Sequence, residues 1–121
     1  MSEGFDWSSF IDLDGFFTRW EETGSTERDY RDFQMELLAN PLKWPVVPAA
    51  GGWRKARFAP PSWGKGKSGA VRVYYAVLPA FGRIVLGIAF TKSEMSDLSA
   101  VGKRHMARRL AQIIRDLEAD Q

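Results

Sequence analysis

The sequence predicts one small α+β domain: two N-terminal helices, a three- to four-stranded antiparallel sheet, and a C-terminal helix, with the helices covering one face of the sheet. Three observations carry this. Apolar residues recur at helical spacing up to Asn40, segments rich in β-branched and aromatic residues run from Trp53 to Thr91 between turn clusters, and helical spacing returns near the C-terminus. A chain of 121 residues is the length of one domain, long enough to bury a core without disulfides or metals, so residues 1–121 read as a single unit.

Residues 1–13 are a lead-in or an edge strand, with Ser9-Phe10-Ile11-Asp12-Leu13 too brief a pattern to separate the two. Leu13, Phe16, Phe17 and Trp20 then fall at helical spacing, and Thr23-Gly24-Ser25 is a stop. Ser25 or Thr26 caps the next helix. Glu27 and Asp29 suit its positive start, and Tyr30, Phe33, Leu37 and Leu38 form its apolar face. Asn40-Pro41 ends it, because a residue before proline avoids the helical region. Pro41 to Gly52 is a loop with three prolines and two glycines.

Strands are predicted over Trp53 to Phe58, Ala70 to Leu78 and Arg83 to Thr91. The connection Ala59 to Gly69 is long for a hairpin, and long loops in small domains are often functional. Ser96 or Ser99 opens the last helix, where Met106, Leu110, Ile113 and Leu117 recur at intervals of four, three and four and should pack on the sheet.

The net charge of +2 conceals a strong asymmetry. Residues 1–40 carry ten acidic side chains against three basic ones, whereas residues 41–109 carry thirteen basic against two acidic. A basic segment of this size suits a polyanion partner, since lysines and arginines that replace condensed counterions gain affinity for phosphate. There is no cysteine, which excludes disulfides, thiol nucleophiles and cysteine-ligated zinc. Neither a secretory signal nor a membrane-spanning run is recognisable, so a cytoplasmic protein without membrane attachment is expected.

Strand parity sorts the cations. Lys55 and Arg57 are two apart and leave one face, while Ala56 and Arg54 point the other way. Arg72 lies between Val71 and Val73, where a cation needs solvent or an anionic ligand. Lys92 closes the third strand, and Lys65 and Lys67 sit between glycines in the long loop. Together these six would form a concave cluster matched to phosphate oxygens. Trp53, Trp63, Tyr74 and Tyr75 lie nearby and offer faces for stacking on unpaired bases, although Tyr74 and Tyr75 point to opposite faces and one of them at least belongs to a core.

Other chemistry is poorly served. His105, the single histidine, projects with Arg109, Gln112 and Asp116 on the solvent side of the last helix. Glu94 and Asp97 read as helix-start charges, and no metal or cofactor is expected. Gly64-Lys65-Gly66-Lys67-Ser68 lacks the Walker spacing and leads into a strand, which argues against a nucleotide triphosphate site.

The runs Gly51-Gly52-Trp53-Arg54-Lys55-Ala56-Arg57-Phe58, Gly64-Lys65-Gly66-Lys67-Ser68-Gly69, Val71-Arg72-Val73-Tyr74-Tyr75 and Thr91-Lys92-Ser93-Glu94-Met95-Ser96-Asp97-Leu98 resemble the HigB branch of the RelE/ParE toxin superfamily. With Asp29 to Gln34 and Asn40-Pro41, the resemblance covers roughly Phe16 to Leu117. It implies a RelE-like domain acting as the toxin of a type II toxin–antitoxin pair, a ribosome-dependent mRNA endonuclease that inhibits translation and growth. It further implies a metal-independent reaction in which a 2′-hydroxyl attacks the adjacent phosphate to leave a 2′,3′-cyclic phosphate. The implied partners are the ribosome and mRNA, and a helix-turn-helix antitoxin of the HigA kind through which operator DNA is reached.

By position, Lys55, Arg57 and Arg72 match the family's basic active-site residues on two neighbouring strands, Lys92 matches the one ending the third strand, and Lys65 and Lys67 match loop lysines that contact RNA. Lys55 is the expected base, on the ground that Arg57 and Arg72 disfavour a third charge beside them. The family's tyrosine after the third strand has no counterpart in Ser96-Asp97-Leu98-Ser99. Two rival readings stay open: a ParE-like gyrase poison, which would share the fold, and a nucleic-acid-binding module without catalysis.

Overall fold

The structure, a computed structural model, describes residues 9–64 and 69–121. The chain runs β1 (Phe10–Asp12), α1 (Phe16–Glu22), α2 (Glu27–Ala39), β2 (Arg54–Phe58), β3 (Val71–Leu78), β4 (Arg83–Thr91) and α3 (Ala100–Ala119). Short 3₁₀ turns lie at Pro61–Trp63 and Pro79–Phe81. The lead-in before Ser9 falls outside the described residues; the part of it that is described ends in the edge strand β1.

Local chemistry accounts for the helix ends. Gly15, at φ 84°, turns the chain from β1 into α1, a conformation that suits a residue with no Cβ. Thr26 rather than Ser25 caps α2: its side chain accepts from Asp29 N–H while the Asp29 carboxylate accepts from Thr26 N–H, a reciprocal capping box. Ser99 rather than Ser96 caps α3 by accepting from Gly102 N–H at 3.0 Å.

The sheet order is β1-β4-β3-β2. β2, β3 and β4 form the expected antiparallel meander, but β1 pairs parallel to β4, from Phe10 opposite Ile84 to Asp12 opposite Leu86. The sheet is therefore mixed, which corrects the antiparallel expectation. The reason is the route of the chain: β1 leads straight into a helical hairpin that carries the backbone to the far edge, so β1 has no sequence neighbour to pair with and docks beside the last strand.

The helices also cover both faces of the sheet, not one. On the first face Phe16 and Trp20 of α1 and Phe33 and Leu37 of α2 pack on Ala56, Phe58, Val71, Val73, Tyr75 and Ile84. On the other, Met106 and Leu110 of α3 pack on Trp53, Tyr74, Val85 and Phe90, with Ile113 and Leu117 alongside. Tyr74 and Tyr75 are both fully buried because each belongs to a different core. Strands buried on both sides read as near-continuous apolar runs, which is the pattern of Val73 to Leu78 and Ile84 to Phe90.

A register shift between Tyr74 and Tyr75 leaves Gly87 of β4 without a partner, since Tyr74 opposes Ile88 and Tyr75 opposes Leu86. At this bulge the Trp53 indole and the Met106 side chain close over the strand, leaving no room for a Cβ on Gly87. The indole is pinned there by its N–H, which donates to Met106 O at 2.8 Å.

Candidate functional site

β2 and β3 deliver two guanidinium groups to the same place. Arg57 and Arg72 are paired in register across the two strands, and because Ala56, Phe58, Val71 and Val73 all enter the α1–α2 core, both arginines leave the opposite face. They line a cleft of about 740 Å³ at the end of the sheet where β2 and β4 finish and β3 begins. Lys92, Thr91 and Ser93 form a second wall, and Glu22 and Thr23 from the end of α1 form a third. Among the described residues neither arginine nor Lys92 has an ion-pair partner.

Three of the four expected catalytic residues thus meet in one cleft. Lys55, the fourth, is on the same face but one pair further along, opposite Tyr74, and does not line it. Lys65 and Lys67 lie outside the described residues; of the described residues that flank them in sequence, Trp63, Gly69 and Ala70 line the cleft. Arg54 stays outside the cluster as parity requires, its guanidinium donating to Trp44 O at 2.6 Å.

Of the four candidate stacking aromatics, Trp53, Tyr74 and Tyr75 are core residues with no exposure. Trp63 alone remains at the cleft, half-buried on its wall. The turn that carries it is fastened by Asp29, which accepts from Ser62 N–H at 3.1 Å and from the Ser62 hydroxyl while also closing the capping box of α2. Burial raises the Asp29 carboxyl, but the hydrogen bonds from Ser62 and Thr26 outweigh it and hold the group below its ordinary value.

Beside Arg57 lies a network that sequence reasoning did not find. Asp97 accepts from the Tyr74 hydroxyl at 2.6 Å and from Leu98 N–H at 2.8 Å through Oδ1, and from Lys55 Nζ at 3.0 Å through Oδ2. Lys103 Nζ of α3 approaches the same Oδ2 at 3.5 Å. Asp97 is therefore not a helix-start charge; Ser99 does that work, and Glu94 instead closes the turn after β4 by accepting from Thr91 N–H at 2.8 Å. Burial pushes the Asp97 carboxyl up, yet the hydrogen bonds from Tyr74, Lys55 and Leu98 and the Lys55 charge prevail and hold it at about 2. Burial and the Asp97 carboxylate together raise the Tyr74 phenol well above its ordinary value. Parity was the available signal: Tyr74 is two residues from Arg72 and shares its face, so its hydroxyl was bound to emerge near the cations.

The arrangement can bind an anion between Arg57, Arg72 and Lys92, with a neutral phenol and a carboxylate-held ammonium next to it. Among the described residues no cluster of histidine and carboxylate side chains is able to hold a metal ion, and His105 is exposed on α3 and does not line the cleft. No helix among the described residues is long and apolar enough to cross a membrane. No protein-family model matches the chain.

Proposed function

We propose that the protein is a metal-independent endoribonuclease that cuts mRNA on the ribosome, the toxin of a toxin–antitoxin pair in the manner of the HigB branch of RelE-like proteins. The observation that carries this reading is the register pair Arg57–Arg72 in one cleft with Lys92, three cations that form no ion pair among the described residues, although Glu22 and Glu94 also line the cleft. Two adjacent guanidinium groups match the geminal oxygens of a phosphodiester, and Trp63 on the cleft wall supplies a face for a base.

In this reading the ribose 2′-hydroxyl next to the bound phosphate attacks phosphorus and the P–O5′ bond breaks. The products are a 2′,3′-cyclic phosphate and a 5′-hydroxyl, the proton of the 2′-oxygen passing to water and the 5′-oxygen taking one from water. Negative charge builds on the non-bridging oxygens, to which Arg57 and Arg72 would donate, and a preorganised donor of this kind contributes about 3–4 kcal/mol. A helix-turn-helix antitoxin would be the natural inhibitor.

The test is inducible expression with and without the adjacent reading frame, followed by mapping of RNA ends. The expected result is growth arrest relieved by the neighbour, with new mRNA termini inside coding regions. Broken DNA with an SOS response and intact transcripts would assign a gyrase poison instead, and salt-dependent RNA binding without arrest would assign a binding module.

A further inference from the structure

We propose that Asp97 is a positioning residue which, together with Tyr74, holds the Lys55 ammonium beside the Arg57–Arg72 pair, so that Lys55 serves as a charged donor to the phosphate and not as the base. This rests on the reading of the cleft as an RNA site.

Lys55 and Arg57 leave the same face of β2 roughly 6–7 Å apart. A long flexible ammonium side chain there would ordinarily wander through solvent. Here Nζ rests on Asp97 Oδ2 at 3.0 Å. Asp97 in turn is fixed from three directions: the Tyr74 hydroxyl on β3, its own turn through Leu98 N–H, and Lys103 on α3. The Tyr74 ring is fully buried and packs against Phe90, at 6.2 Å between ring centroids. The second core is thus linked through one hydroxyl and one carboxylate to a lysine on the same face as the Arg57–Arg72 pair.

The chemistry of the arrangement is that of a donor. An ammonium has three N–H groups, and the contact with Asp97 uses one of them, which leaves two for a phosphate oxygen. A general base must aim its nitrogen at the substrate hydroxyl, whereas Lys55 Nζ is aimed at Asp97. Lys55 is also partly exposed, with 31% of its side chain open to solvent, so an incoming phosphate can reach it without displacing Asp97. No proton is transferred by Lys55 in this role.

The test uses the full-length protein. In a ¹H–¹⁵N correlation of lysine ammonium groups, Lys55 should give a slowly exchanging signal, identified by its loss in Lys55→Arg. Asp97→Asn should abolish that signal, and Tyr74→Phe, which removes one hydroxyl and leaves the core filled, should shift it. In the cleavage assay Lys55→Arg should stay within about tenfold of the wild type while Lys55→Gln loses about 100-fold or more, the effect of removing one preorganised donor. Arginine cannot act as a base, so equal inactivity of Lys55→Arg and Lys55→Gln would overturn the donor role. An unchanged Lys55 signal in Asp97→Asn would overturn the positioning role. If the wild-type protein cleaves no RNA, the functional reading fails separately, and binding of a single-stranded RNA oligonucleotide then decides: retained in Lys55→Arg and weakened in Lys55→Gln and Asp97→Asn if the proposal holds, equal in all four proteins if it does not.

Discussion

Arg57 and Arg72 stand directly opposite each other across β2 and β3, two like charges on one face with no carboxylate between them among the described residues. Like charges in that relation destabilise a sheet, by roughly 0.2–1 kcal/mol for a cross-strand pair. Arg72→Thr should therefore raise the urea midpoint slightly while cutting RNA cleavage about 100- to 1,000-fold, the effect of losing one preorganised donor. A variant that is less stable and still as toxic in cells as the wild type would count against the site.

On the proposed reading, these two arginines and Lys92 should set the salt response of RNA binding. If Arg57, Arg72 and Lys92 each neutralise one phosphate on single-stranded RNA, each neutral variant should lower the slope of log binding constant against log salt by about 0.7. Arg54→Gln, whose guanidinium is turned away to Trp44 O, should leave that slope unchanged. Titration of a fluorescent oligonucleotide at several salt concentrations reads both.

Acid stability should depend on Asp97. Its folded carboxyl sits at about 2 against an ordinary 3.8, so its contribution is complete above about pH 4 and is lost as pH falls toward 2, where the unfolded chain takes up the proton first. Screened by solvent at this partly exposed site, the contribution is on the order of 1 kcal/mol. Asp29 acts in the same direction, whereas Asp12, raised chiefly by burial, acts in the opposite one. Urea unfolding from pH 5 to pH 2 should show a shallower loss in Asp97→Asn than in the wild type. Parallel curves would mean that Asp97 titrates alike in both states.

Gly87→Ala should destabilise the protein by about 1–3 kcal/mol, the range for overpacking a filled core. A Cβ there would lie 2.5 Å from Met106 Cε and 2.8 Å from the Trp53 ring, and the ring is held by its own hydrogen bond and cannot step aside. Adding Met106→Ala should recover little, because the indole contact remains. Thermal unfolding of the single and double variants measures the coupling.

Asp29→Ala should cost about 2 kcal/mol through loss of the capping box and of the Ser62 tether. It should also weaken RNA binding, since the turn it fastens carries Trp63 at the cleft. Thr26→Ala removes the cap alone, so it should lower stability and leave binding intact. Equal binding loss in the two variants would place the effect in α2 and not in the tether.

Local pattern was enough for the elements. Three strands, α2 and α3 fall within a residue or two of their expected limits, because helical and strand periodicity and the signals at Thr23-Gly24 and Asn40-Pro41 act over a few residues. Parity within one strand likewise put Lys55 and Arg57 on one face and Arg54 on the other. Periodicity in the chain therefore specifies every element except β1, and the side of each strand that a cation leaves. Long-range packing alone makes β1 lie parallel to β4, puts α3 on the face opposite α1 and α2, and brings Asp97 from the turn before α3 back to Tyr74 and Lys55. Those relations join residues 23 to 74 positions apart, and they are set by which apolar faces find one another on collapse, a competition that no short window of sequence contains.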